Sequence, residues 1–153
     1  MKLEAVDYTA KDADKQFVES LRATGFGVLK NHPISKTSVT SIYQNWQGFF
    51  DSSDKEQYLF DRETQDGFFP TTVSETAKGF KKKDIKEYYH YYPWGKCPEG
   101  LKRELAAYYQ AAMELASELL TWVEKYSPQD VANRYTQPLS NMIKQSEQTL
   151  LRI

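Results

Sequence analysis

The sequence predicts an α+β fold, with about three main helices packed on a few short strands, and three observations carry that prediction. Residues 101–120, LKRELAAYYQAAMELASELL, repeat apolar side chains at helical spacing and form the best helix of the chain. Ile85–Tyr92, IKEYYHYY, is short and dominated by aromatic residues, which favour the pleated surface of a strand. Between residues 61 and 83, Gly67, Pro70, Gly79 and several Ser and Thr break every period. A long loop or a pair of irregular strands is expected there, and loops of that length in a compact domain usually carry function.

Taken in order, the first helix is expected to start with Thr9 as its cap and Asp12 in the first turn, with Phe17, Val18 and Leu21 on its apolar face. Gly25 stops it, because glycine accepts the left-handed conformation that ends helices. Phe26–Lys30 reads as a short strand. A second helix is expected over about Ser35–Asp51, with Ile42, Trp46, Phe49 and Phe50 on or near one face, and Ser53 with Glu56 forms a capping box for a short helix through Leu59. Pro98 suits the first turn of the long helix that runs to Tyr126. Ser127-Pro128-Gln129-Asp130 then restarts a helix, through Pro138 to about Gln145. Thr149–Ile153 has the pattern of a strand, and a strand needs a partner to form.

Composition narrows the class. With 153 residues, 40% hydrophobic and 27% charged, the chain suits a folded domain and not a disordered tail. A net charge of −1 recruits neither nucleic acid nor an anionic membrane. The apolar runs are too short to span a bilayer, and MKLEAVDY lacks a signal-peptide core. A single cysteine, Cys97, forms no internal disulfide and points to a reducing, cytoplasmic setting. Eleven Tyr, eight Phe and three Trp supply side chains suited equally to cores, pocket walls and interfaces.

The stretch Phe17–Ile34, FVESLRATGFGVLKNHPI, resembles the opening of the isopenicillin N synthase-like family, whose N-terminal region reads GF…V.NHG/PI. Further pieces follow in family order: Asp66-Gly67-Phe68-Phe69, then Asp84-Ile85-Lys86-Glu87-Tyr88-Tyr89, then Pro98 with the long helix, and finally LLRI, which matches the strand that enters the family's barrel. The family comprises non-haem iron(II), 2-oxoglutarate-dependent oxygenases. Their iron is held by a His-x-Asp pair and a distant second His on a double-stranded β-helix. Here His32 and His90 are the two histidines, and neither precedes an Asp or Glu by two residues. Proline replaces the commoner glycine after His32.

The resemblance therefore implies a single domain over residues 1–153, like the oxygenase N-terminal domain, with the C-terminal catalytic barrel absent. Iron(II) and 2-oxoglutarate are implied for a full-length member, and no cofactor and no metal ligand for this chain. In that setting the region buttresses the barrel and lines part of a pocket for a small organic substrate. It is expected to be inactive alone, since three facial ligands and open positions are needed for this chemistry. The alternative is a stand-alone binding or dimerisation module, self-associating through the aromatic face that a barrel otherwise covers.

Four residues are the substrate-binding candidates: Phe68, Phe69, Lys86 and Tyr88. Phe68 and Phe69 sit in the irregular stretch, where they cap the core or form a pocket wall, and the loop's length favours the wall. Lys86, next to Glu87, is either an ordinary solvated ion pair or a substrate contact, and the resemblance sets Lys86 and Tyr88 near the barrel mouth. Asp84, Glu87 and His90 do not share a face in a strand, which disfavours a metal cluster. His32 is expected to be a turn residue satisfied by backbone hydrogen bonds. Lys81-Lys82-Lys83 beside tyrosines suggests single-stranded nucleic acid, but the net charge and the missing RNA-binding motif favour a solvated loop. Cys97 has no CxxC partner and no base nearby, so a nucleophilic role has little support.

Overall fold

A computed structural model describes residues 3–73, 78–79, 83–144 and 146–153. In chain order the elements are β1 (Ala5–Asp7), α1 (Ala13–Thr24), β2 (Val28–Lys30), α2 (Lys36–Asp51), β3 (Gly67–Phe69), β4 (Tyr88–Tyr91), α3 (Glu99–Lys125), α4 (Gln129–Ala132), α5 (Leu139–Lys144) and β5 (Leu151–Arg152). Short 3-10 helices cover Ser53–Tyr58 and Thr71–Val73. The α+β class holds, and among the described residues no sheet closes into a barrel. No described helix is long and apolar enough to cross a membrane. Contacts divide the chain into two compact units, Met1–Lys36 with Gln110–Ser146, and Thr37–Tyr109 with Glu147–Ile153.

In the first unit β1 and β2 pair in parallel, Val6 opposite Leu29, with α1 as the connection. Gly25 ends α1 in the left-handed region at φ 78°, its N–H returning to the Leu21 carbonyl. The start of the helix differs from the expectation. Thr9 does not cap it: its N–H and its hydroxyl both donate to Asp7 Oδ1, and Asp12 is the N-cap. An aspartate two residues upstream is the stronger acceptor, so the threonine closes the turn after β1 instead. Phe17 and Tyr8 pack against Trp122 of α3, and the Tyr8 hydroxyl donates to Glu118.

The closing helix of this unit is also broken where continuity was expected. Ser127 donates to the Val123 carbonyl instead of capping, and Pro128 is the N-cap of α4. The chain then leaves the helix and restarts at Leu139, after Pro138, whose missing N–H and ring are compatible with a first turn but not with an interior one.

The second unit is built on aromatic packing. Ile42, Trp46 and Phe49 form one stripe of α2 and join Phe68, Tyr89, Tyr91 and Leu105 in a single buried cluster. Trp46 lies 5.1 Å from Phe49 and 4.8 Å from Tyr89 between ring centroids, both tilted or edge-on, as the ring quadrupoles prefer. After α2 the cap is Ser52, one residue before the expected Ser53, and its side chain accepts from Asp54 N. The three strands form an antiparallel sheet in the order β3-β4-β5, with Phe68 opposite Tyr89, Phe69 opposite Tyr88 and His90 opposite Arg152. The terminal strand thus finds its partner in β4. Gly67 opens β3 at φ 105°, where a Cβ would stand 2.6 Å from the Tyr58 carbonyl oxygen, so only glycine suits both the angle and the space.

Candidate functional site

Strand alternation sorts the residues of β3-β4-β5 onto two faces. Phe68, Tyr89, Tyr91 and Leu151 face the core cluster. Phe69, Tyr88, His90 and Arg152 share the opposite face. On that face Phe60 stacks on Phe69 at 4.3 Å, Phe69 stacks on Tyr88 at 4.7 Å, and the Arg152 guanidinium lies 4.8 Å from the Tyr88 ring centre. Three rings and a cation follow one another across the sheet, each contact worth about 0.5–1.5 kcal/mol beyond burial.

His90 is fixed within this group by both ring nitrogens. Nδ1 is 3.0 Å from the Gln65 carbonyl, which only accepts, so Nδ1 carries the hydrogen. Nε2 then presents a lone pair, and Arg152 Nε donates to it at 3.0 Å. Gln65 is delivered by a tight turn in which Asp61 Oδ1 accepts from Glu63 N and Thr64 N, leaving Gln65 at φ 61°. Burial lowers the pKa of His90, the Gln65 hydrogen bond opposes this, and the Arg152 charge lowers it further. The neutral form is therefore the one the site holds. Behind the sheet, burial raises the pKa of Tyr89, whose hydroxyl donates to the Lys96 carbonyl at 2.7 Å. Burial likewise pushes the Cys97 thiol up to about 11, the opposite of what a nucleophile needs.

A cavity of about 560 Å³ lies in the same unit, walled by Val39, Ile42, Trp46 and Phe50 on α2, by Tyr108, and by Leu151 to Ile153. Its size falls in the range of small-molecule pockets.

Of the four candidates, Phe69 and Tyr88 come together as neighbours in the stack, whereas Phe68 is 0% exposed in the core. Lys86 stands at the edge of the same face, 6.0 Å from the Tyr88 ring centre, with Asp84 at 2.9 Å. Glu87 turns away to Lys55 at 3.0 Å, in a pair only 21% and 30% exposed. His32 departs from expectation: its Nδ1 is buried without a hydrogen-bond partner, in the bend where Asn31 takes a positive φ of 58°. Lys81 and Lys82 lie outside the described residues. Gln65, Phe60 and Arg152 were not singled out from the sequence, and His90 was weighed there only as a metal ligand with Asp84 and Glu87. Spacing places His90 beside Tyr88 on one face, but Arg152 joins them through pairing across some sixty residues.

Among the described residues no three His, Cys, Asp or Glu side chains come together to hold a metal. These residues do not fit an iron centre, and no step through iron follows from them. What the face offers is a stacked aromatic floor, an oriented guanidinium and a neutral imidazole.

Comparison with known proteins sets this geometry in a family. The sequence profile described as "non-haem dioxygenase in morphine synthesis N-terminal" matches residues 3–122. No curated protein matches the sequence. Among solved structures, a "putative oxygenase" from Shewanella oneidensis is 58% identical and superposes with a TM-score of 0.89, over 99% of this chain and 55% of that one. A "putative 2OG-Fe(II) oxygenase family protein" from Caulobacter crescentus shares the fold at a TM-score of 0.63 and 23% identity, over 81% of this chain and 48% of that one. The chain thus spans about half the length of each. Because the profile matches most of its residues, the chain belongs to the non-haem dioxygenase N-terminal family.

Proposed function

We propose that the chain is the N-terminal portion of an iron(II)/2-oxoglutarate-dependent oxidoreductase acting on a small organic substrate. In this reading it buttresses the catalytic barrel, and it is inactive by itself. The observation that carries the proposal is the 58% identity over nearly the whole chain to an oxygenase almost twice as long. The face bearing Phe69, Tyr88, Lys86 and Arg152 contributes part of the substrate-pocket wall, with Phe68 supporting it from the core side.

Anaerobic titration with iron(II) and 2-oxoglutarate tests this. A protein that joins this chain to a family barrel should develop a stoichiometric metal-to-ligand charge-transfer band and consume 2-oxoglutarate with oxygen. The 153-residue chain should do neither. A band from the chain alone would overturn its inactivity, and a barrel-bearing protein that neither binds nor consumes 2-oxoglutarate would overturn the oxidoreductase reading.

A further inference from the structure

We propose that Arg152 anchors a carboxylate-binding subsite on the face of β3-β4-β5 that carries Phe69, Tyr88 and His90, and that it receives the carboxylate of a small organic acid. The proposal rests on the pocket-wall reading above and gives the substrate its chemical class. Arginine has five N–H donors in a planar fork. Here one of them, on Nε, is used, and it is given to a neutral imidazole. Among the described residues no carboxylate pairs with Arg152, and neither Nη has a hydrogen-bond partner.

This arrangement differs from a structural arginine in what it leaves over. A guanidinium held by Asp or Glu has its charge compensated and its fork filled. Held by His90 and by the Tyr88 ring, it keeps its full charge, and both Nη groups stay available while the side chain is already oriented. The acidic side chains that flank β3 and β4 are committed elsewhere: Asp84 to Lys86, Glu87 to Lys55, and Asp66 to Thr64 and the Lys96 amide. A planar two-donor edge matches a planar carboxylate, which can accept both bonds in parallel. Phe69 is 5% exposed between Phe60 and Tyr88, so it backs the partly exposed rings of Tyr88 and Phe60, which suit an acid with an apolar body.

The test uses the full 153-residue chain without iron, so its failure leaves the oxygenase reading standing. The probes are benzoate, the uncharged benzamide and 2-oxoglutarate. The readouts are the Arg152 Nε–H resonance and the His90 titration, followed by nuclear magnetic resonance. Benzoate should move the Arg152 signal and raise the His90 pKa, because a bound anion offsets the charge that now disfavours imidazolium. Benzamide should do neither. Arg152→Gln should weaken benzoate binding at least about tenfold, while Arg152→Lys, which keeps the charge but loses the fork, should weaken it less. The proposal fails if benzoate moves neither signal, if benzamide acts equally, or if Arg152→Gln binds as well as the parent. Binding of 2-oxoglutarate without benzoate would overturn the assignment to the substrate. Should Arg152→Gln not fold, the benzoate–benzamide contrast on the unaltered chain still decides.

Discussion

On one face of β3-β4-β5, Phe68, Tyr89, Tyr91 and Leu151 meet Trp46, Phe49 and Leu105 in the buried core. On the other, Phe69, Tyr88, His90 and Arg152 stack on one another, and the face ends in an exposed cation. Both faces come from the same alternation along the same three strands, and both are rich in aromatic rings. The difference lies in what the rings touch. Core rings meet α2 and α3, whereas rings of the second face meet one another, Phe60 and a guanidinium. Aromatic content therefore does not tell which face of the sheet closes the core; the partner across the contact does.

Several substitutions break or sharpen that contrast. The largest effect belongs to the core face, where Trp46→Ala should cost about 3–5 kcal/mol of unfolding free energy, read by urea denaturation. Tyr88→Ala, at a half-buried position of the second face, should cost clearly less, and equal losses would dissolve the distinction. Next comes Gly67→Ala. It places a Cβ against the Tyr58 carbonyl at a positive φ, and strain of this kind costs about 1–3 kcal/mol by the same assay. Tyr89→Phe removes the hydroxyl bond to Lys96 and should cost about 0.5–1.5 kcal/mol, with the ring packing kept. Arg152→Gln should change stability least, by under about 1 kcal/mol, since its fork is not filled by protein groups.

The two faces should also separate by pH. His90 has a depressed pKa, so the unfolded chain binds its proton first as pH falls. Its contribution is present above the ordinary histidine value near 6.5 and is lost as pH drops from there through the folded value. Protonation of Nε2 also removes the acceptor for Arg152, so the Arg152 Nε–H signal should change over the same window. Tyr89 and Cys97 are raised, and the sign reverses: their contribution is present below the ordinary values of 10 and 9 and is lost as pH rises above them. Urea midpoints measured from pH 5 to 11 check both limbs. Tyr89→Phe should flatten only the alkaline limb, and a His90→Gln variant only the acid one.

The sequence by itself determined the helices, the glycine stop at Gly25, the aromatic stripe of α2 and the strand character of the tyrosine run, because helical and strand periods are local properties of the chain. The ordered motifs from Phe17 to Ile153 were sufficient to name the family. Local rules failed where two residues competed for one role, as Asp7 and Thr9 did before α1, and Ser127 and Pro128 before α4. Tertiary structure alone decided that Phe68 faces the core while Phe69 faces away, since an irregular stretch carries no phase from which to read a face. It alone brought Gln65, His90 and Arg152 into one hydrogen-bonded line. That line depends on the register of β5 against β4, and a register between distant segments is set by long-range packing, which no local window of sequence contains.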